Sequence, residues 1–152
     1  MHKILKFLTL GLFSLFVSQS TFAAEHGTAQ EAEAMVKKAI AYIKSKGPET
    51  AYAEFNNSKG SFTDRDLYIF VIDLNGKDLA HGANAKLIGK DFRTLRDVDN
   101  KAFIDDILSI AKSKGKGWVD YKWPNPSTKE IEMKSTYFEK AGDVVVACGI
   151  YK

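Results

Sequence analysis

The stretch Gly117-Trp118-Val119-Asp120-Tyr121-Lys122-Trp123-Pro124, continuing through Asn125-Pro126 to Lys134-Ser135-Thr136-Tyr137, reads as two strands around a proline-marked hairpin. Alternate residues of a strand share a face, so Val119, Tyr121 and Trp123 point one way and Trp118, Asp120 and Lys122 the other. On the return strand Lys134, Thr136 and Phe138 share one face, and Ser135 and Tyr137 the other. Rings, phenols and one ammonium on adjacent strands can wall a pocket for a small anion.

Two amphipathic helices precede any strand. Thr28-Ala29-Gln30-Glu31 fits a capping box. Ala32, Met35, Val36, Ala39, Ile40 and Ile43 then form one apolar stripe. Gly47-Pro48 stops that helix and starts a short one carrying Ala51, Tyr52 and Phe55. Asp66–Asp73 is a strand too apolar to be solvated on either face, Asn75-Gly76 is a two-residue hairpin signal, and Lys77–His81 is the return strand. The connection 83–100 is long enough to be a lid. Lys101–Ser113 is a helix, and Val144–Ile150 is the last strand. This order predicts an α+β fold: a five-stranded, largely antiparallel sheet with the helices segregated on one face.

Residues 1–23 read as a signal peptide, with His2, Lys3 and Lys6 before an apolar core from Leu8 to Val17 and a cleavage site after Ala23. That core is shorter than the ~20 residues needed to span a bilayer, so cleavage is preferred over an uncleaved anchor. The expected product is a single exported domain, residues 24–152, with no membrane or lipid anchor and a periplasmic location if the source is Gram-negative. Lys3 and Lys6 belong to the leader, which lowers the net charge from +3 to +1 and argues against a nucleic-acid or membrane-surface partner. Cys148 is the only cysteine; in Val144-Val145-Val146-Ala147-Cys148 it reads as an inert core thiol.

No nucleophile elbow, zinc motif, phosphate loop or spaced calcium pattern is present, so no enzyme activity, metal or cofactor is expected. Asp64, Asp66, Asp97 and Asp99 read as solvated turn residues. Binding has more support. A carboxylate asks for a cation plus hydroxyl or indole donors in an apolar cavity, and Lys134, Tyr121, Tyr137, Tyr68 and Trp123 supply those types, with His81 and Lys90 within reach from the second strand and the long loop. The same aromatics would also serve as core or cross-strand pairs, and a strand lysine is normally solvated. Both readings stay open on pattern alone.

Leu67–Asp73, Asn75-Gly76, Leu79-Ala80-His81-Gly82, Leu87-Ile88-Gly89-Lys90-Asp91, Gly117–Pro124, Lys134-Ser135-Thr136-Tyr137 and Cys148-Gly149-Ile150-Tyr151 together resemble single Cache domains of the type 2 group. The resemblance implies a PAS-like extracytoplasmic sensor fold with a long N-terminal helix. It also implies a pocket between the sheet and the long connection for a short-chain carboxylate such as acetate, propionate, pyruvate or lactate. Carried over by position, Tyr68, His81, Lys90, Trp118, Tyr121, Lys134 and Tyr137 become wall candidates. Lys134 would be the main countercharge, Tyr121 and Tyr137 hydroxyl donors, Trp118 an apolar wall and His81 a neutral donor. Receptors of this family continue into a transmembrane helix and a signalling module, whereas this sequence ends at Lys152. The expected role is a free periplasmic binding module, a monomer or weak homodimer, acting through a separate membrane sensor or transporter. The competing expectation is a protein-interaction module with a vestigial pocket.

Overall fold

The computed structural model describes residues 26–152, and the expected signal peptide lies outside them. Helix α1 (Ala29–Lys46) opens on the capping box: Thr28 Oγ1 accepts from the Glu31 amide at 3.3 Å, and the Glu31 carboxylate accepts from the Thr28 amide at 2.8 Å. Pro48 starts α2 (Pro48–Phe55). The strands are β1 (Thr63–Asp64), β2 (Leu67–Asp73), β3 (Asp78–His81), β4 (Lys116–Pro124), β5 (Ile131–Ala141) and β6 (Val144–Tyr151), with α3 (Phe103–Lys114) between β3 and β4. Among the described residues no helix is long and apolar enough to cross a membrane.

Five strands form the antiparallel sheet in the order β3-β2-β6-β5-β4, and the two-residue β1, which the sequence did not announce, pairs with the start of β2. The first hairpin is one residue longer than its Asn-Gly signal suggests. Leu74–Gly76 lie between Asp73 and Lys77, and Gly76 takes a φ of +88° that a side chain would resist.

The helices are not segregated on one face. Ala32, Val36 and Ala39 of α1 and Phe55 of α2 pack with Ile69, Val71, Val146 and Cys148 on one side of the sheet. Phe103, Ile104, Ile107 and Leu108 of α3 pack with Tyr68, Phe70, Ile72 and Phe138 on the other. Covering both faces explains why Leu67–Ile72 is buried without interruption, in place of the polar–apolar alternation of a half-exposed antiparallel strand.

Two aspartates expected in solvated turns are structural. Asp66 is fully buried, accepting from the Gly27 amide and contacting His26 Nδ1, both at 2.7 Å. Asp97 accepts from the amides of Asp99 and Lys101 at 2.9 Å and of Lys122 at 3.0 Å, which covers part of the outer edge of β4. Cys148 is buried as expected, and burial pushes its thiol up to about 12.

Candidate functional site

The α3-facing side of the sheet holds the polar groups that converge. Alternation sends Tyr68 and Phe70 of β2, Tyr121 and Trp123 of β4, Lys134 and Thr136 of β5, and Tyr151 of β6 to this side. Lys134 is fully buried. It lies on β5 and Tyr68 on β2, with β6 between them, yet Nζ donates to Tyr68 Oη at 2.7 Å. Gly149 on the intervening strand makes this possible, because a Cβ there would collide with Lys134 Cε and Thr136 Oγ1.

Lys134 Nζ stands 4.1 Å from the Tyr68 ring centre, 5.0 Å from that of Tyr151 and 5.8 Å from that of Phe70. These ring faces and the Tyr68 hydroxyl are its near neighbours, and no carboxylate forms an ion pair with it among the described residues. Burial lowers its pKa to about 7, against the raising fields of Cys148 and Asp66. Tyr68 Oη lies 3.4 Å from Tyr151 Oη, which donates to the Pro124 carbonyl at 2.9 Å, and the Tyr121 hydroxyl pairs with Thr136 at 2.9 Å. Burial raises all three phenols, so they remain neutral donors.

His81 is buried against Tyr68, Phe70 and Phe92. Its Nδ1 accepts from the amides of Ala83 at 3.3 Å and Asn84 at 3.1 Å, which assigns the proton to Nε2. Burial, then the Lys134 charge, lower its pKa to about 3, against a raising contribution from a backbone hydrogen bond. It is a neutral hydrogen-bond donor at physiological pH.

Tyr68, Phe70, His81, Phe92, Phe103, Ile104, Tyr121 and Trp123 line an inner cavity of about 10 Å³, room for about one water. An adjoining vestibule of about 280 Å³ shares Tyr68, His81 and Trp123 and is otherwise lined by Ala83, Asn84, Leu87 and the Pro124–Pro126 turn with Lys129. Tyr68 separates the cavity from Lys134, which does not itself line it.

Of the sequence candidates, Tyr68, His81, Tyr121, Trp123 and Lys134 come together here. Trp118 and Tyr137 do not. Their rings, 5.2 Å apart, pack on the α1 face, and Tyr137 donates to Glu139 at 2.6 Å, because β4 and β5 alternation turns both away from the cavity. Lys90 is exposed; its carbonyl accepts from the Asp78 amide, so its part in the loop is played by the backbone. Pattern reading missed Phe70, Phe92, Phe103, Ile104 and Tyr151. The helical register of Phe103 and Ile104 marked them as core, but nothing in it said which sheet face they would meet.

The family model for single Cache domain 2 matches residues 12–152. The chain belongs to this family. It is therefore a Cache-type extracytoplasmic sensor domain. Among the described residues, no group of three or more His, Cys, Asp or Glu is placed to hold a metal ion.

Related proteins include a methyl-accepting chemotaxis protein of Pseudomonas putida, McpP, 32% identical over 90 residues, or 58% of this chain and 16% of that protein. The sensor histidine kinase MctS of Rhizobium johnstonii is 32% identical over 89 residues, 57% of this chain and 19% of that one. The matched regions thus span less than a fifth of either relative. Among solved structures, a methyl-accepting chemotaxis protein from Vibrio parahaemolyticus superposes with a TM-score of 0.69 at 25% identity, covering 80% of this chain and 86% of that one. A Cache chemosensory domain described for its carboxylic acid recognition gives 0.63 at 25% identity, with the same coverage.

Proposed function

We propose that this Cache domain binds a short-chain carboxylate of two to four carbons in the inner cavity. The observation that carries the reading is Lys134, an ammonium with no carboxylate partner among the described residues, buried behind Tyr68 under an aromatic chamber. Tyr68 Oη already accepts from Lys134, so its own proton, held only by the long 3.4 Å contact to Tyr151 Oη, turns to the ligand, and His81 Nε2–H is the second donor. Phe70, Phe92, Phe103, Ile104 and Trp123 exclude water and raise the strength of both bonds. The chemosensory relative described for carboxylic acid recognition supports the ligand class. The chemotaxis and sensor-kinase relatives support a membrane-linked signalling partner, and membership of the sensor family supports an extracytoplasmic location, read here as the periplasm. Because the cavity has room for about one water, ligand entry requires Phe92, Phe103 or Tyr68 to move outward.

That tight cavity also favours a second reading, a vestigial pocket on a protein-interaction module, for which exposed Ile131 and Met133 on β5 would be contact residues. Thermal unfolding separates the two. The purified protein, unfolded and refolded to strip ligand, is heated with a panel of two- to four-carbon acids. An acid at 100 times its dissociation constant stabilises by about 2.7 kcal/mol, whereas a flat panel would sink the binding reading.

A further inference from the structure

The chain from Ala83 to Leu95 forms a strap over the cavity. It contributes Phe92 to the chamber and Ala83, Asn84 and Leu87 to the vestibule. The strap is fastened to the first hairpin by backbone bonds centred on Asp78. The Asp78 amide donates to the Lys90 carbonyl at 2.9 Å, the Gly89 amide donates to the Asp78 carbonyl at 2.7 Å, and the Phe92 amide donates to the Gly76 carbonyl at 2.8 Å.

The side chain of Asp78 is anomalous. Cross-strand register sets Asp78 opposite Ile72 and His81 opposite Phe70, with a bulge between, so the aspartate and the pocket histidine share the cavity face of β3. Asp78 is fully buried, and neither carboxylate oxygen has a hydrogen-bond partner.

The charged groups on the elements packed against β3 leave it uncompensated. On the strap, Lys86, Lys90, Asp91 and Arg93 are exposed, and Asp91 pairs with Arg93 at 3.4 Å. At the end of β2, Asp73 accepts from the amides of Asn75 and Lys77. On α2, Glu49 is exposed and Glu54 takes both donors of Ser61. On its own hairpin, Lys77 is exposed and His81 is neutral. An unpaired buried carboxylate is tolerable only when protonated.

We propose that Asp78 is a pH-responsive latch, which holds the strap closed over the cavity while protonated and releases it on ionisation. Water has to reach the carboxylate once it ionises, and the shortest route is detachment of the strap whose backbone bonds flank it. Burial alone pushes its pKa up to about 8, which puts the release near neutral to mildly alkaline pH. Strap opening needs no ligand, so the latch stands or falls separately from the carboxylate reading.

The test measures the carboxyl carbon shift of Asp78 and the exchange of the Gly89 and Phe92 amides from pH 5 to 10 in the ligand-free protein, with exchange corrected for its intrinsic pH dependence. The carboxyl midpoint is expected between about pH 7 and 9, and both amides should lose protection by up to about tenfold per pH unit as pH rises from 5 toward that midpoint, then level off above it. Asp78→Asn, and independently the apolar Asp78→Val, should abolish that loss. A midpoint below pH 5, protection unchanged to pH 10, or the same loss in the two variants would overturn the latch.

Discussion

Lys134 and Tyr68 sit on strands that are not neighbours, and their 2.7 Å hydrogen bond crosses β6 at Gly149. The bond joins the buried cation to the wall of the cavity. Replacing Lys134 with Met keeps the volume and removes a charge that no carboxylate balances. Removing a buried charge relieves its desolvation cost, so the variant is expected to be more stable than wild type at pH 5, where the wild-type lysine is protonated. Denaturant unfolding should show that gain, while the acid-induced rise in melting temperature disappears. Retained acid stabilisation in this variant would remove Lys134 from the site.

Gly149→Ala tests the crossing itself. A methyl group has no room beside the Lys134 stem and Thr136 Oγ1, and forcing one into a packed core costs about 1–3 kcal/mol. The expected result is a lower melting temperature together with a weakened acid response, because Lys134 can no longer reach Tyr68. A variant as stable and as responsive as the wild type would show that the stem relaxes freely.

Stability should depend on pH with opposite signs at two buried groups. Asp78, raised from 3.8 to about 8, retains its proton in the folded state when the unfolded chain has lost it, so its contribution falls between about pH 4 and 8. His81, lowered from 6.5 to about 3, binds fewer protons folded than unfolded, so its contribution rises between about pH 3 and 6.5. Relative to wild type, Asp78→Asn should gain stability steadily from pH 4 to 8 and then level off. His81→Gln should be comparatively most stable near pH 3 and lose that advantage by pH 6.5. Melting curves of the three proteins across this range check both slopes.

Phe103 lies flat on Tyr121, with ring centres 4.0 Å apart and planes at 10°. Phe103→Ala removes one wall of the chamber, and large-to-small core changes of this kind cost about 3–5 kcal/mol. The enlarged cavity should respond to acids longer than those that stabilise the wild type, by the same melting assay. An unchanged ligand panel would mean that α3 does not set ligand length.

Much of the fold was legible in the one-dimensional pattern. The capping box at Thr28, the run Leu67–Ile72, the β4–β5 hairpin and the period of two along Tyr121/Trp123 and Lys134/Thr136 are local signals, and local signals specify elements and the relative facing of residues within a strand. Of the site, Tyr68, His81, Tyr121, Trp123 and Lys134 were named from their chemistry. The segregated helices, the solvated Asp66 and the grouping of Trp118 and Tyr137 with the pocket residues do not match the structure. The first and third depended on which face of the sheet meets which helix, and Asp66 on the segment before α1 folding back onto it.

That dependence marks the boundary. Period and residue type establish that Lys134 and Thr136 share a face and that Lys134 is the cation on it. Neither says that β6 lies between β5 and β2, that Gly149 leaves the gap through which the lysine passes, or that Asp78 lies without a partner beneath a strap from the next loop. Those are contacts between residues far apart in the chain. The free energy of such contacts comes from excluding water and filling space in three dimensions, a property of the assembled layers that no local spacing encodes.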